Sequence, residues 1–444
     1  MTVAASASAE AASPPPAGVR APAAAVEKTH AATPPKKPAA PKADTAHAKK
    51  PGVDLLAGIR VGGYLQAQYE SHQDSENQLQ QGGAPLNLDR FVLRRARVKV
   101  RRAWKYSSVM IELDANTVHG PSSFGVQHAE ASLFYRGDNS EDELPIAKLT
   151  MGLFDVPFGY ELTESPKERL FMERSRQSLA FFPAEPDLGI GLSGKVLFVK
   201  YAVAVMNGEP KSEVTGFQLR DPNSQKDVIG RVGVDVPIGK RFRVSGGVSA
   251  LNGYGFHKGT DNTKNVVVWK DLNEDGQINT GELEALPGTS GTVSENFFRW
   301  SVGADLQLRM KTELGMTQLY GEIVAGSNMD RGLFVADPVL TSIDARELGY
   351  YIGLVQQVTP YGVFGLRYDY YNPNANFLDR QGGKIIPSTQ DMQTWAPLVG
   401  LVLPGRAKLL LEYDIIRDYT ARDSSGVPID RKNNVWTLRL QGEL

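Results

Sequence analysis

Two stretches of this 444-residue chain carry residue types at spacings that chemistry can use. The first is Arg95-Ala96-Arg97-Val98-Lys99-Val100-Arg101, with a cation at every second position. Successive side chains of a strand point to opposite faces, so Arg95, Arg97, Lys99 and Arg101 make one cationic face and the residues between them an aliphatic one. Such a row inside a low-dielectric wall draws anions and hands them along where no single site holds too tightly. The competing reading is that the row pairs with Glu112 and Asp114 of the next segment and stabilises the wall; the two are compatible.

The second stretch, residues 271–282, matches the twelve-residue calcium loop. Asp271, Asn273 and Asp275 take positions 1, 3 and 5, Gly276 the turn, and Gln277 a backbone carbonyl at 7. Asn279 stands at 9 and Glu282 at 12, as a bidentate ligand. Calcium takes about six to eight oxygens, and this spacing wraps them around one point. Val266-Val267-Val268-Trp269 before it reads as extended, so the loop is expected without the flanking helices of a full EF-hand. Its expected role is structural, with Ca2+ ordering a long external loop; an unmetallated acidic turn is the alternative. A third pattern, Gly189-Ile190-Gly191-Leu192-Ser193-Gly194-Lys195, satisfies a phosphate-cradling glycine motif but runs into Val196-Leu197-Phe198-Val199, which is strand. Such motifs need a helix next, so these glycines are read as relieving crowding in a strand. No nucleophile elbow or HExxH motif occurs, cysteine is absent, and no carboxylate pair stands out, so no catalytic residues are expected.

The elements that position these residues repeat every two residues. Tyr64-Leu65-Gln66-Ala67-Gln68-Tyr69 and Val109-Met110-Ile111-Glu112-Leu113-Asp114 alternate as the cationic row does. A helix repeats every ~3.6 residues, and four cations at every second position would encircle it. Sixteen such segments lie near residues 59–70, 90–101, 104–114, 126–136, 147–154, 189–197, 200–207, 227–236, 241–250, 296–308, 316–326, 347–358, 361–371, 391–403, 407–416 and 433–441. Gaps after odd-numbered segments are long (71–89, 155–188, 251–295, 372–390). Those after even-numbered ones are mostly short: Arg102-Ala103, Pro237 to Lys240, Pro404-Gly405-Arg406. Long loops on one side and tight turns on the other are the pattern of an outer-membrane barrel.

No run of about 18 or more apolar residues is present, so a spanning helix is not expected. A closed barrel is then the structure that satisfies every backbone polar group in lipid. The expected fold is all-β, a 16-stranded antiparallel transmembrane β-barrel over residues 53–444. Residues 1–52 are rich in Ala, Pro and Lys and lack core-forming residues; they are expected to be a disordered periplasmic tail, either free or tethered to the cell wall. The charge balance, 49 basic against 50 acidic residues, argues against a general nucleic-acid binder.

Five motifs occur in order: Phe91-Val92-Leu93-Arg94-Arg95-Ala96-Arg97, Gly152-Leu153-Phe154-Asp155-Val156-Pro157-Phe158-Gly159-Tyr160-Glu161, Phe171-Met172-Glu173-Arg174-Ser175, Ala204-Val205-Met206-Asn207-Gly208 and Arg367-Tyr368-Asp369. With them the chain resembles the phosphate-selective porin O/P family over residues 59–441. The resemblance implies a sixteen-stranded barrel, a homotrimer, and conduction of small anions through a constriction lined by arginine and lysine. It also implies that the third long loop, 155–188, folds into the lumen and narrows it. That loop interleaves Lys167, Arg169, Arg174 and Arg176 with Glu161, Glu164, Glu168 and Glu173, a mixture that argues for broad rather than phosphate-tight selectivity. A solvated surface loop is the alternative. One departure is the final residue, Leu444, where such barrels usually end in an aromatic.

The functional expectation is a porin for passive diffusion of small solutes, preferring phosphate-like anions, set in the lipid of a bacterial outer membrane. The alternative is a structural outer-membrane protein whose lumen is plugged by its own loops and whose tail grips the cell wall.

Overall fold

The computed structural model describes residues 58–73, 89–118, 123–137, 144–209, 220–376, 380–381, 384–385, 390–403 and 407–444. The expected tail, 1–52, and the turn 404–406 lie outside the described residues.

Sixteen antiparallel strands close into one barrel. They are β1 (Ile59–His72), β2 (Arg90–Ala103), β3 (Ser107–Asn116), β4 (Ser123–Tyr135), β5 (Ala147–Asp155), β6 (Pro186–Val196), β7 (Val199–Met206), β8 (Asp227–Ile238), β9 (Phe242–His257), β10 (Glu295–Lys311), β11 (Met316–Ser327), β12 (Arg346–Val358), β13 (Gly362–Asn372), β14 (Met392–Leu403), β15 (Ala407–Asp418) and β16 (Val435–Glu443). Each pairs with its chain neighbours, and the sheet closes where β16 meets β1, with Tyr64 opposite Glu443 and His72 opposite Val435. Closure removes the unpaired edges that an open sheet would expose. All sixteen expected segments are strands.

Strand ends differ from the expectation in a consistent way. Arg102 and Ala103 stay in the ladder, opposite Val109 and Ser108, and the turn falls at 104–106. β9 continues to His257, which pairs with Glu295, although apolar alternation stops at residue 250. Above the lipid both faces of a ladder meet water, so hydrogen bonding continues where the hydrophobic pattern ends. Connections follow the long–short rule except at two places: 117–122 is short for its side and 136–146 long for its own.

Alternation decides which face meets lipid. Val98, Val100, Val109 and Ile111 are exposed on the outer wall, while Arg95, Arg97, Glu112 and Asp114 are buried inside. Exposed and half-buried aromatics gather at both rims. Trp104, Tyr106, Tyr135, Phe198, Phe242 and Tyr361 lie at the short-turn end. At the other end Tyr350 stacks on Tyr370, Tyr368 tilts against Trp395, and Tyr413 stacks on Trp436. Such girdles sit at the two interfaces of an outer-membrane barrel, which fixes the chain in a bacterial outer membrane with its long loops outside. No helix among the described residues is long and apolar enough to cross a membrane. The glycine motif 189–195 lies within β6, and no helix follows it. A Cβ at Gly189 would fall 2.4 Å from the Val205 carbonyl oxygen, so close strand packing accounts for that glycine.

Candidate functional site

The loop between β5 and β6, residues 156–185, turns back into the barrel. Its apolar side chains give the reason. Val156, Phe158, Leu162, Phe171, Met172, Phe181 and Phe182 are all buried, and water outside would offer them no cover. The inner wall supplies that cover. One cluster packs Phe158, Leu162, Phe181 and Phe182 against inward-facing Ala204, Met206, Ile229, Leu251, Val324 and Tyr371. A second packs Phe171 and Met172 against Val355, Val363, Ala396, Leu398 and Leu410. Gly159, at φ +62, carries the chain past Glu322, where a Cβ would lie 1.9 Å from Oε1. The lumen-entering loop implied by the family resemblance is therefore present, and a solvated surface loop is not.

Charged groups fasten the loop to the wall. Arg94 of β2 grips Glu173 with two hydrogen bonds, Nε at 2.7 Å and Nη2 at 2.9 Å. Arg95 adds a third at 3.1 Å, and Arg439 of β16 a fourth at 3.1 Å. Glu161 accepts from Ser175 (backbone N 2.9 Å, Oγ 2.6 Å) and Ser178 (2.8 Å), and lies 3.4 Å from Arg367. Glu322 accepts from the backbone N–H groups of Tyr160 and Glu161, each at 3.2 Å. Glu185 lies 3.4 Å from Arg97 and 3.7 Å from Arg169. Burial works to raise the pKa of Glu173 and Glu185, but the guanidiniums around them outweigh it. Glu173 is held well below the usual carboxylate range, chiefly by Arg94 and Arg95. Glu185 is held at about 2, chiefly by Arg97 and Arg174.

The loop also straddles the closure of the barrel. Gln66 of β1 donates to the Pro166 carbonyl and to Gln441 of β16, at 3.1 and 2.8 Å. Gln441 donates to the Lys167 carbonyl (3.0 Å), Lys167 reaches Glu443 (2.9 Å), and Arg439 donates to the Met172 carbonyl (2.7 Å).

The expected pore cations therefore divide. Arg95 and Arg97 are spent on carboxylates, Arg97 lying 3.4 Å from Glu112 and 3.6 Å from Asp114, as the wall-pairing reading has it. Charge reversal at Arg97 would set a carboxylate among Glu112, Asp114 and Glu185 and test folding rather than ion preference. Lys99 pairs with Glu112 at 2.7 Å but keeps an exposed side chain, and it lines a cavity of about 270 Å³; Arg101 is exposed. Arg169 and Arg174 are buried in the loop, and Arg174 donates to the carbonyls of Phe182 and Pro183 at 2.8 and 3.1 Å. Burial lowers its pKa to about 10. Lys167 is half-buried. Arg176 sits at the start of a short helix, α1 (Arg176–Phe181), where its backbone N–H donates to Asp369 at 2.8 Å.

The larger water-accessible space lies on the short-turn side of the loop, a cavity of about 610 Å³. Its charged lining is Lys148, Lys200, Arg231, Arg243 and Arg309 against Asp235 alone. Asp235 takes Lys200 and Arg243, both at 2.6 Å, and Arg231 is held from behind by Asp305. Arg309 stands directly opposite Arg243 across the β9–β10 ladder. Like charges in that position are unfavourable, and Asp235 offsets the Arg243 side of the pair. Sequence reading missed this group because its members sit singly on five strands. Only the register brings them together.

In the fifth long loop, the strands Val266–Trp269 and Leu283–Leu286 pair as a hairpin and hold residues 270–282 between them, without flanking helices. One carboxylate oxygen from each of Asp271, Asp275 and Glu282 lies within 4.8 Å of the others. Asn273 and Asn279 both donate to Asp275, at 2.9 and 3.3 Å, and Gln277 donates its backbone N–H to the same carboxylate at 2.7 Å. Gly276 takes φ +70, as the sharp turn at position 6 requires.

No family model matches the chain, and no curated protein matches it. Among solved structures it is similar to the outer membrane channel DcaP of Acinetobacter baumannii, with TM-score 0.50 and 10% identity over 87% of this chain and 97% of that one. It is similar also to OprB of Pseudomonas putida, with TM-score 0.50 and 10% identity over 88% and 95%. An anion-selective porin from Comamonas acidovorans aligns at TM-score 0.49 and 10% identity over 87% and 99%. At these identities the first two likenesses show the fold alone, that of an outer-membrane barrel.

Proposed function

We propose that the protein is an outer-membrane channel for passive diffusion of small solutes, with a preference for anions of the phosphate class. The cation-lined space beneath the third loop carries this reading. Five basic side chains from separate strands line it against Asp235, with Glu130 on Lys148 and Asp305 on Arg231, an excess of positive charge in a wall with lipid behind it. None of these cations is so enclosed as to trap an anion, which suits conduction more than storage. The subunits act as a homotrimer in this reading, as the family resemblance implies. Planar-bilayer conductance with ion substitution is the test. Steady channels with a reversal potential on the anion side are expected, and cation-weighted channels would overturn the preference.

A second reading is favoured by one observation: the two apolar clusters that the loop makes inside the lumen. A barrel sealed at that level would serve as a structural protein anchored by its N-terminal tail. Absence of any steady current from correctly folded protein selects it.

We also propose that residues 271–282 bind Ca2+ through Asp271, Asn273, Asp275, the Gln277 carbonyl, Asn279 and Glu282. The convergence of three carboxylates on one point supports this. An exposed external loop suits a weak site, with Kd of order 10⁻⁴ to 10⁻³ M. Millimolar calcium is expected to protect the segment 258–294 from proteolysis, and Glu282→Gln to abolish that protection. Cleavage at equal rates with calcium and with chelator would remove the site.

A further inference from the structure

Above the third loop, on the long-loop side, a cavity of about 250 Å³ is walled by the end of β9, the start of β10 and the segment after β11. Glu209 lines it. This residue is 4% exposed, yet its carboxylate has neither hydrogen bond nor ion pair among the described residues. Burial pushes its pKa up, against the pull of Arg299 and Arg331. Both arginines also line the cavity and are themselves buried. Arg299 spends Nε and Nη2 on Asp227 and the Gly208 carbonyl, at 3.4 and 2.7 Å, and Arg331 spends Nε and Nη1 on the carbonyls of Phe181 and Gly208, at 2.9 and 2.6 Å. Arg299 Nη1 and Arg331 Nη2 remain without a hydrogen-bond partner among the described residues. Asp330 accepts three backbone N–H groups and the Tyr371 hydroxyl, and Asp337 holds His257 at 2.6 Å, while Lys258 lines the outer side of the cavity with an exposed side chain. Phe297, Val335 and Ala336 complete the wall with apolar surface. Phe297 leans over Gly255, where a Cβ would lie 2.2 Å from its ring.

A buried carboxylate without a partner, two guanidinium ends with donors to spare and an apolar wall call for a ligand of matching pattern. We infer that this cavity is a binding site for a small zwitterion, an α-amino acid, with its ammonium on Glu209, its carboxylate on Arg299 and Arg331, and its side chain against Phe297 and Val335. An amine alone would face the two guanidiniums, and a carboxylate alone would face Glu209. A sugar would leave Glu209 and the two guanidinium ends with no charged group in direct contact. The zwitterion meets Glu209 and both guanidinium ends and brings no net charge. The inference rests on the channel reading only for its purpose, which is capture of a solute at the external mouth.

The test is calorimetric titration of the full-length, detergent-solubilised protein with L-valine. Parallel titrations use isobutylamine, isobutyrate and glucose. Saturable valine binding is expected, with each single-ended analogue and glucose at least tenfold weaker. Glu209→Gln, which is isosteric, is expected to weaken valine at least tenfold, and Val335→Trp, at the rim, to block it if the first variant folds poorly. No saturable valine binding overturns the inference, as does undiminished binding by Glu209→Gln or Val335→Trp. Equal or tighter binding of isobutylamine, isobutyrate or glucose overturns the zwitterion assignment. Conductance plays no part in this readout, so a silent barrel that binds valine would sink the channel reading and leave the site standing.

Discussion

Glu173→Gln is expected to raise single-channel conductance several-fold and to lower the thermal stability of the barrel. The carboxylate is the shared acceptor of Arg94, Arg95 and Arg439. Removing its charge leaves three guanidiniums around a neutral amide that can satisfy only part of their donors. Breaking a buried ion pair by removing one partner costs about 3–5 kcal/mol. The lower end applies here, because the Glu173 side chain keeps 31% exposure. The loop then gives way before the wall does, since the wall has its own ladder and the loop is held by side-chain bonds and two apolar clusters. Acid should act on the native protein in the same direction. Glu173 and Glu185 have depressed pKa values in the folded state, so the stability they contribute is fully present above their ordinary value of 4.5. It is lost as the pH falls through their folded values, about 2 for Glu185. Conductance of the native channel should rise on acidification from pH 4.5 toward 2, and that of the Glu173→Gln variant should rise less. Bilayer recordings across this range check both, and a variant with native conductance and native melting would show that the clasp does not hold the loop.

Arg309→Glu is expected to move ion preference toward cations without harming the fold. The new carboxylate would lie across the ladder from Arg243, replacing a like-charge pair with an opposite one. The change is two elementary charges at the wall of the larger cavity. At roughly 8 Å in a water-like dielectric it amounts to about 1 kcal/mol for a passing monovalent anion, or about fivefold in permeability at 25 °C. Adding Lys148→Glu should deepen the shift. Reversal potentials under a salt gradient give the answer, and a value equal to that of the native protein would remove the cavity from the filter.

The barrel was legible because a wall with lipid on one side and polar groups on the other must alternate, and sixteen segments do so. Its strand ends were not. Residues 251–257 of β9 stand where no lipid imposes the pattern, and Asn252, Gly253 and Gly255 read there as loop. The row Arg95 to Arg101 was visible as a row, but its partners were not, since Arg439 lies 266 residues from the Glu173 it shares with Arg95. Charges counted along the third loop suggested a filter. Most of them turned out to be fasteners, because a carboxylate and a guanidinium read the same in sequence whether they face an ion or each other. The group around Arg309 failed for the opposite reason. One basic residue per strand makes no pattern until the register stacks the strands.

The bonds that Gln66, Arg439, Gln441 and Glu443 make with residues 166–173 have a consequence for assembly. They bridge the seam between the first and last strands from within, like a bolt through a closed hoop. The bolt has no seat until β16 is laid beside β1, so the loop can lock only once the hoop is shut. Locking in turn resists reopening of that seam, the one join in the cylinder made between the two ends of the chain rather than by neighbours in sequence.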